Sequence, residues 1–281
     1  MGSAMAARLV DCGFEVIAWD RDPVKAERAG LDHASTPCAL ADACPVVISS
    51  LFDTDAVSTV YRGSDGLLAS AEDTLFIEMS TVSPESQIAL ARDVAGAGGQ
   101  FIECPVSGTV APARAGQLLG FAGGAAVEVD AAEAILDHLC RRVVRVEPVG
   151  AGARTKLAVN LPLIAFWQAL GEVMALMHDV SGDAAWLVEL FADTPGAPAA
   201  MKVKAEAVTA ALGLTGMVEP AFAIDAMRKD LQLAIDAASG SFPLPVATSV
   251  LAAMDEAAAA GCGDRDCAWM PAFWAMKAAA A

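Results

Sequence analysis

A lysine and an asparagine four residues apart, in the segment at residues 150–160, GAGARTKLAVN, carry the first candidate chemistry. A lysine acts as a general acid or base near neutral pH only when its pKa is lowered from about 10.4. Burial, a neighbouring cation such as Arg154 and a helix N-terminus all lower it. On a helix, Lys156 and Asn160 share one face, so Asn160 is placed to orient a substrate or the lysine. The same pattern also suits a solvated lysine beside a structural asparagine.

The turn Ser107-Gly108 is a second candidate. It follows residues 100–106, QFIECPV, an apolar run that predicts a strand. Ligands of doubly wound α/β sheets bind beyond the carboxyl ends of the strands. A hydroxyl group and backbone N–H groups at this end can hold a substrate carboxylate. The letters Val-Ser-Gly alone also suit an ordinary turn.

The first twenty residues contain half of a nucleotide-binding motif. Gly2 opens a helical pattern, and Asp20 ends a predicted strand 18 positions later. In a dinucleotide-binding unit, the third glycine of G-x-G-x-x-G allows close helix packing, and an acidic residue ~20 positions on binds the ribose hydroxyls. Asp20 favours NAD because its charge repels a 2′-phosphate, whereas Arg21 can hold that phosphate and keeps NADP open. The first strand and two glycines are missing from this pattern, so we expect the native protein to begin about ten residues earlier.

The elements that must position these residues follow from the hydrophobic pattern. Up to about residue 150, short apolar runs alternate with amphipathic stretches, as is typical of a parallel sheet with helices on both faces. We therefore predict an α/β fold with a Rossmann-type doubly wound parallel sheet in a domain at residues 1–152, followed by an all-helical domain at residues 153–281. Helices in that second domain are expected at 154–180, 183–192, 219–239, 245–260 and 265–279.

Composition and charge exclude several classes of protein. A net charge of -17 over 281 residues opposes binding to nucleic acid or to an anionic membrane. The longest apolar stretch, residues 161–177, contains Gln168 and Glu172 and is shorter than the ~20 residues that span a bilayer, so we interpret it as a buried helix. Seven cysteines without a C-x-x-C pair indicate reduced thiols in the cytoplasm. The cysteines and histidines lack the spacing of a metal site, and no metal is expected.

Four motifs together identify a family resemblance. They are EMSTVSP at 78–84, FIECPVSGTVAPARAGQL at 101–118, GAGARTKLAVN at 150–160 and AMRKDLQLA at 226–234. In this order and spacing they make the chain resemble the β-hydroxyacid dehydrogenase family, the group of 3-hydroxyisobutyrate dehydrogenase and tartronate semialdehyde reductase. The resemblance covers the whole chain. Met1-Gly2 match the last two letters of the G-L-G-x-M-G turn with which the family's first strand ends.

The resemblance implies a role for each matching residue. Lys156 matches the family's catalytic lysine. The substrate-binding residues would be Ser107, Gly108, Thr109 and Asn160. Thr109 stands where the family usually has a second glycine, and its Cβ would narrow the pocket or change the preferred acid. The cofactor-binding residues would be Gly2, Asp20, Arg21, Leu51, Phe52, Ser80, Thr81 and Lys229.

The resemblance also implies an activity. We expect reversible hydride transfer between NAD or NADP, with NAD favoured, and a small 3-hydroxy acid resembling 3-hydroxyisobutyrate or tartronate semialdehyde. The helical domain would serve substrate binding and dimerisation in a homodimer or tetramer. One alternative is an imine or carbonyl reductase of the same fold, although family branches with that activity generally lack the lysine at position 156. Another alternative is a non-catalytic NAD(P)-binding protein.

Overall fold

The structure is a computed structural model that describes residues 1–28, 30–180, 183–216 and 219–280. Contacts along the backbone divide the chain into two compact units, Met1–Lys156 and Leu157–Ala281.

The first unit alternates strands and helices. Its strands are β1 (Ile17–Ala18), β2 (Asp32–His33), β3 (Val46–Ser49), β4 (Leu75–Glu78), β5 (Gln100–Glu103), β6 (Val106–Ser107), β7 (Leu118–Gly123) and β8 (Cys140–Val146). Its helices are α1 (Gly2–Asp11), α2 (Pro23–Arg28), α3 (Pro37–Ala43), α4 (Thr54–Arg62), α5 (Pro84–Gly96), α6 (Val110–Arg114) and α7 (Ala126–Leu139). Side-chain oxygens of Thr36, Asp53 and Ser83 cap the N-termini of α3, α4 and α5, which fixes where these helices begin.

The described strands form two separate sheets. β1 pairs in parallel with β2, while β3, β4 and β5 run parallel at the start of a six-stranded sheet. The α/β fold predicted from the sequence is confirmed, but the larger sheet is mixed, because β7 runs antiparallel to both β5 and β6. The connection from β6 to β7 holds only the five-residue α6, which is shorter than a parallel crossover requires.

Both faces of the larger sheet are buried, as the doubly wound prediction requires. Ile77 on β4 packs in one apolar cluster with Met5 and Leu136, whereas Phe76 packs in another with Tyr61. Successive side chains of a strand point to opposite faces, so these clusters lie on the two sides of the sheet. Every residue of β4 is buried, which explains its continuous apolar run.

The second unit is helical, as predicted. Helix α8 (Ala151–Leu176) begins in the first unit and continues into the second. It is followed by α9 (Ala184–Ala192), α10 (Ala199–Val203), α11 (Ala205–Leu212), α12 (Ile224–Ala238), α13 (Pro245–Ala257) and α14 (Trp269–Ala279), with a π-type segment at Ala258–Cys262. The sequence pattern did not predict α10 and α11.

Among the described residues, one helix, α8, is long and apolar enough by length and composition to cross a membrane. Its side chains Ile164, Trp167 and Leu170 are buried in the apolar cluster of the second unit. Gln168 on the same helix is also buried and accepts a hydrogen bond from the indole N–H of Trp274 at 2.9 Å. These contacts are those of a core helix.

Candidate active site

The ends of β3 and β4 are joined by hydrogen bonds between two predicted cofactor-binding loops. The backbone N–H of Leu51 donates to Ser80 Oγ at 2.7 Å. The backbone N–H of Ser80 in turn lies 3.1 Å from each carboxylate oxygen of Glu78, the last residue of β4. Ser80 is buried and Thr81 follows it half-buried. The structure therefore brings Leu51, Ser80 and Thr81 together at the carboxyl ends of parallel strands.

Glu78 is the centre of a buried polar network beneath these loops. Its carboxylate accepts hydrogen bonds from Ser49 Oγ at 3.3 Å and from the side-chain amide of Gln87. Ser49 also contacts the hydroxyl of Tyr61 at 2.9 Å. Burial raises the pKa of Glu78, while the hydrogen bonds from Ser80 and Gln87 act in the opposite direction. This network fixes where β3, β4 and α5 meet.

The end of β5 holds a second buried carboxylate, that of Glu103. Its oxygens accept the backbone N–H groups of Gly150, of Gly152 at 2.9 Å and of Ala153 at 3.0 Å. These groups lie at the N-terminus of α8, where backbone N–H groups have no partner within the helix. Burial raises the pKa of Glu103 from 4.5 to about 7, although the three N–H groups lower it. Glu103 and Glu78 are register partners across β4 and β5.

Lys156 and Asn160 lie on α8 just beyond this N-terminus. Only 7% of Lys156 and 4% of Asn160 is exposed. They are four residues apart within one continuous helix, so their side chains share a face, as the sequence predicted. A buried lysine is unusual in a folded protein unless its ammonium has partners or a function.

A third buried carboxylate, Asp230 on α12, joins two predicted site residues. Its Oδ2 accepts a hydrogen bond from Asn160 Nδ2 at 2.6 Å, and its Oδ1 lies 2.8 Å from Lys229 Nζ. Because the Asn160 amide donates to Asp230, its carbonyl oxygen points away from that carboxylate. The structure thus brings Asn160 and Lys229 together within the second unit, through Asp230.

The end of β6 and the turn after it contain three of the predicted substrate-binding residues. Ser107 is half-buried on β6 and pairs with Leu119 of β7. Gly108 has φ +138°, and a Cβ added there would lie 2.6 Å from Leu118 Cδ2, so only glycine fits. Thr109 is half-buried at the N-cap of α6, and its hydroxyl makes no capping hydrogen bond. The single strand predicted over residues 100–106 is divided into β5 and β6, and the turn follows β6, which runs antiparallel to β7.

The remaining predicted cofactor residues lie around β1 and β3. Gly2 begins α1 and is exposed, and Asp20 follows β1. Asp20 Oδ1 accepts the backbone N–H of Asp22 at 2.9 Å, which orders the loop that also contains the exposed Arg21. Phe52 is 61% exposed beside Leu51.

Sequence reasoning missed the two buried carboxylates Glu78 and Glu103. Each is the last residue of its strand and directly follows buried apolar residues. An acidic side chain at the end of two consecutive buried strands was the available signal, since buried carboxylates in native proteins have hydrogen-bond donors. The donors of Glu103 lie far along the chain, 47 residues away for Gly150, and are invisible to local patterns, whereas Ser80 is only two residues from Glu78.

The raised pKa of Glu103 predicts a pH-dependent stability. A carboxyl whose pKa is higher in the folded state than its ordinary 4.5 binds its proton more tightly when folded. The contribution of Glu103 to the free energy of unfolding is fully present at low pH and is lost as the pH rises through about 7. The loss amounts to at most about 3 kcal/mol. We expect the melting temperature of the wild type to fall relative to that of Glu103→Gln between about pH 5 and about pH 8. A difference in melting temperature between the two proteins that stays constant over this range would contradict the raised pKa of Glu103.

Family models match both units. The NAD binding domain of 6-phosphogluconate dehydrogenase matches residues 1–147, and the NAD-binding domain of NADP-dependent 3-hydroxyisobutyrate dehydrogenase matches residues 150–273. The two matches together extend over nearly the whole chain.

Relatives with known names agree with these matches. The chain is 31% identical to 3-sulfolactaldehyde reductase from Escherichia coli over 283 residues, covering 95% of this chain and 90% of that one. It is 34% identical to 3-hydroxyisobutyrate dehydrogenase from Pseudomonas aeruginosa, covering 70% of this chain and 67% of that one. The solved structure of Psf3 in complex with NADP⁺ and 2-OPP superposes with a TM-score of 0.86 at 27% identity, covering 97% and 96% of the two chains. The chain belongs to the β-hydroxyacid dehydrogenase family and is an NAD(P)-dependent oxidoreductase.

Proposed function

We propose that the protein transfers a hydride reversibly between the carbinol carbon of a small 3-hydroxy acid and a nicotinamide cofactor, with Lys156 as the general acid–base. The observation that carries this proposal is the burial of Lys156 one helical turn from Asn160 on α8. The relatives named 3-hydroxyisobutyrate dehydrogenase and 3-sulfolactaldehyde reductase support an acid of this size. The imine-reductase alternative receives no support from Lys156.

Lys156 moves the proton. In oxidation its neutral amine takes the proton of the substrate hydroxyl while the carbinol carbon loses a hydride. In reduction its ammonium returns a proton to the forming alkoxide. A bound nicotinamide ring supplies or accepts the hydride. Burial of Lys156 excludes bulk water from the proton transfer and strengthens the electrostatic interactions of its ammonium group with nearby polar groups.

The strand-end turn and Asn160 would hold the substrate. The hydroxyl of Ser107 and the backbone at Gly108 are suited to donate hydrogen bonds to a carboxylate. Gly108 has φ +138°, which other residues rarely adopt, and without a Cβ its backbone would be open to a ligand. The side chain of Thr109, where the family usually has glycine, would limit the width of the acid. Asn160, held through its amide by Asp230, would present its carbonyl oxygen to the substrate hydroxyl.

The residues of the first unit fit a dinucleotide. Gly2 is exposed at the start of α1, where the free N–H groups of the first helical turn would meet a pyrophosphate. The half-buried Leu51 and the hydroxyl-bearing loop at Ser80 and Thr81 would flank the nicotinamide. Asp20 would hold the ribose, and Lys229 is the cofactor-binding residue expected from the second unit.

Asp20 sets the expected cofactor preference. A carboxylate at the end of β1 accepts hydrogen bonds from two ribose hydroxyls and repels a 2′-phosphate, so we expect a higher kcat/KM with NAD than with NADP. Asp20→Ser removes the charge and should lower the NAD-to-NADP ratio of kcat/KM by about tenfold, the equivalent of 1.4 kcal/mol. Steady-state kinetics with both cofactors measure this ratio. A wild-type kcat/KM that is at least tenfold higher with NADP than with NAD would overturn the expected preference for NAD.

A panel of small 3-hydroxy acids, assayed for formation of reduced nicotinamide with NAD and with NADP, tests the proposed function. At least one 3-hydroxy acid is expected to be oxidised, whereas 2-hydroxy acids of the same length are not. Stoichiometric cofactor binding without turnover of any panel member would favour a non-catalytic role. Reduction of imines, without reduction of the aldehyde or ketone forms of these acids, would favour the imine-reductase alternative.

A further inference from the structure

Glu103 takes no part in the proton transfer proposed above, yet its carboxylate holds the start of the helix that carries Lys156. One oxygen accepts the N–H groups of Gly150 and Gly152, and the other accepts that of Ala153. All three donors are backbone groups at the N-terminus of α8. Glu103 itself is fully buried at the end of β5.

Two glycines pack closely against the carboxylate of Glu103. A Cβ added at Gly123 would lie 2.5 Å from Glu103 Oε1, whereas one added at Gly152 would meet the backbone oxygen of Phe121 first and Glu103 Cδ next, at 3.0 Å. A side chain at Gly123 would displace the carboxylate, and one at Gly152 would crowd both the Phe121 backbone and the carboxylate. The two glycines therefore leave room for the side chain of Glu103 against the start of α8.

We propose that Glu103 is the positioning residue for Lys156, which it fixes through the first turn of α8. Ala153 and Lys156 are three residues apart and so are neighbours on one side of the helix. The carboxylate that binds the N–H of Ala153 fixes the turn from which Lys156 projects. Its negative charge also complements the positive end of the helix dipole. The inference rests on the proposed role of Lys156.

Two titratable side chains adjoin Glu103 in the sheet. Glu78 is its register partner on β4, and Cys104 follows it in the chain. Burial raises the pKa of both, which favours their neutral forms. Burial also raises the pKa of Glu103, to about 7, so above this pH Glu103 carries a negative charge that Glu103→Gln removes.

Glu103→Gln tests the proposal. The variant keeps one acceptor oxygen but places an amide group against the N–H of Ala153. We expect kcat to fall about 10- to 100-fold through misplacement of Lys156, with the cofactor KM within about twofold of the wild type. In the oxidation direction, the rising limb of kcat should move to lower pH by about half a unit or more, because loss of the anion disfavours the ammonium form.

Two further variants serve as controls. Glu103→Asp keeps the anion but is shorter, so we expect a lower kcat with the rising limb at the wild-type pH. Glu128→Gln alters an exposed carboxylate that accepts the Ala125 N–H at the start of α7, and it should match the wild type throughout.

Wild-type kcat in Glu103→Gln, or a lowered kcat with an unmoved pH limb, would overturn the positioning role. If Glu103→Gln does not fold, Glu103→Asp decides, since an unchanged kcat there contradicts the inference. Lys156→Ala separates the two hypotheses. Full activity in Lys156→Ala refutes the proposed role of Lys156 as general acid–base, whereas an inactive Lys156→Ala beside a wild-type-like Glu103→Gln refutes only the inference on Glu103.

Discussion

Replacing Lys156 with alanine is expected to lower kcat by a factor of about 10²–10⁴, the usual contribution of a general acid–base. Lys156 is buried on α8 and would address the substrate hydroxyl, so cofactor affinity should change little. Steady-state kinetics and titration of the reduced cofactor measure the two quantities separately. A fall in kcat with unchanged cofactor affinity identifies an interaction made in the chemical step.

A lysine on the surface of the second unit provides a matched control. Lys202 is 63% exposed at its side chain and forms an ion pair with Asp193. Exposed ion pairs contribute little to stability, so Lys202→Ala should behave as the wild type. If Lys156→Ala keeps more than about a tenth of wild-type kcat, Lys156 is not the general acid–base.

The second large effect is expected at Asp230. Asp230→Asn removes the charge that holds Lys229 and replaces one of the two acceptor oxygens that now bind Lys229 and Asn160. Hydrogen bonds to charged groups contribute about 1.5–3 kcal/mol, so kcat/KM for the hydroxy acid should fall about 10- to 100-fold. The measurement compares kcat/KM for the acid with KM for the cofactor.

Asp225 on the same helix is the control for this variant. Its carboxylate is half exposed and pairs with Arg228. Asp225→Asn should leave both kinetic parameters near their wild-type values. If Asp230→Asn and Asp225→Asn have equally small effects, Asp230 does not organise the substrate site.

Much of the first unit was predictable because its strands are local features. The apolar runs that contain β3, β4 and β5 are short, rich in β-forming residues and separated by capped helices. Strand β7 was not predicted, because LLGFAG contains glycines that disfavour a strand. Gly120 lies there because a Cβ would approach Cys104 Sγ to 2.9 Å, a contact between distant parts of the chain.

The second unit shows the same limit of local reasoning. α10 and α11 are separated at Lys204, whose ammonium binds the buried carboxylate of Asp266, 62 residues later in the chain. No periodicity in the sequence reports such a partner. The short spacing between Lys156 and Asn160 was readable, because a single helix carries both. The hydrogen bonds of Glu103 and Asp230 to distant segments were not.

Transfer of deuterium tests the central claim most directly. The 3-hydroxy acid found active in the panel is labelled with deuterium at its carbinol carbon and incubated with the enzyme and oxidised cofactor. Nuclear magnetic resonance of the product is expected to show deuterium at C4 of the reduced nicotinamide. Steady-state kinetics should show a lower kcat/KM for the labelled acid than for the unlabelled one. Reduced cofactor that carries no deuterium, or no reduced cofactor with any labelled 3-hydroxy acid, would contradict direct hydride transfer in this protein.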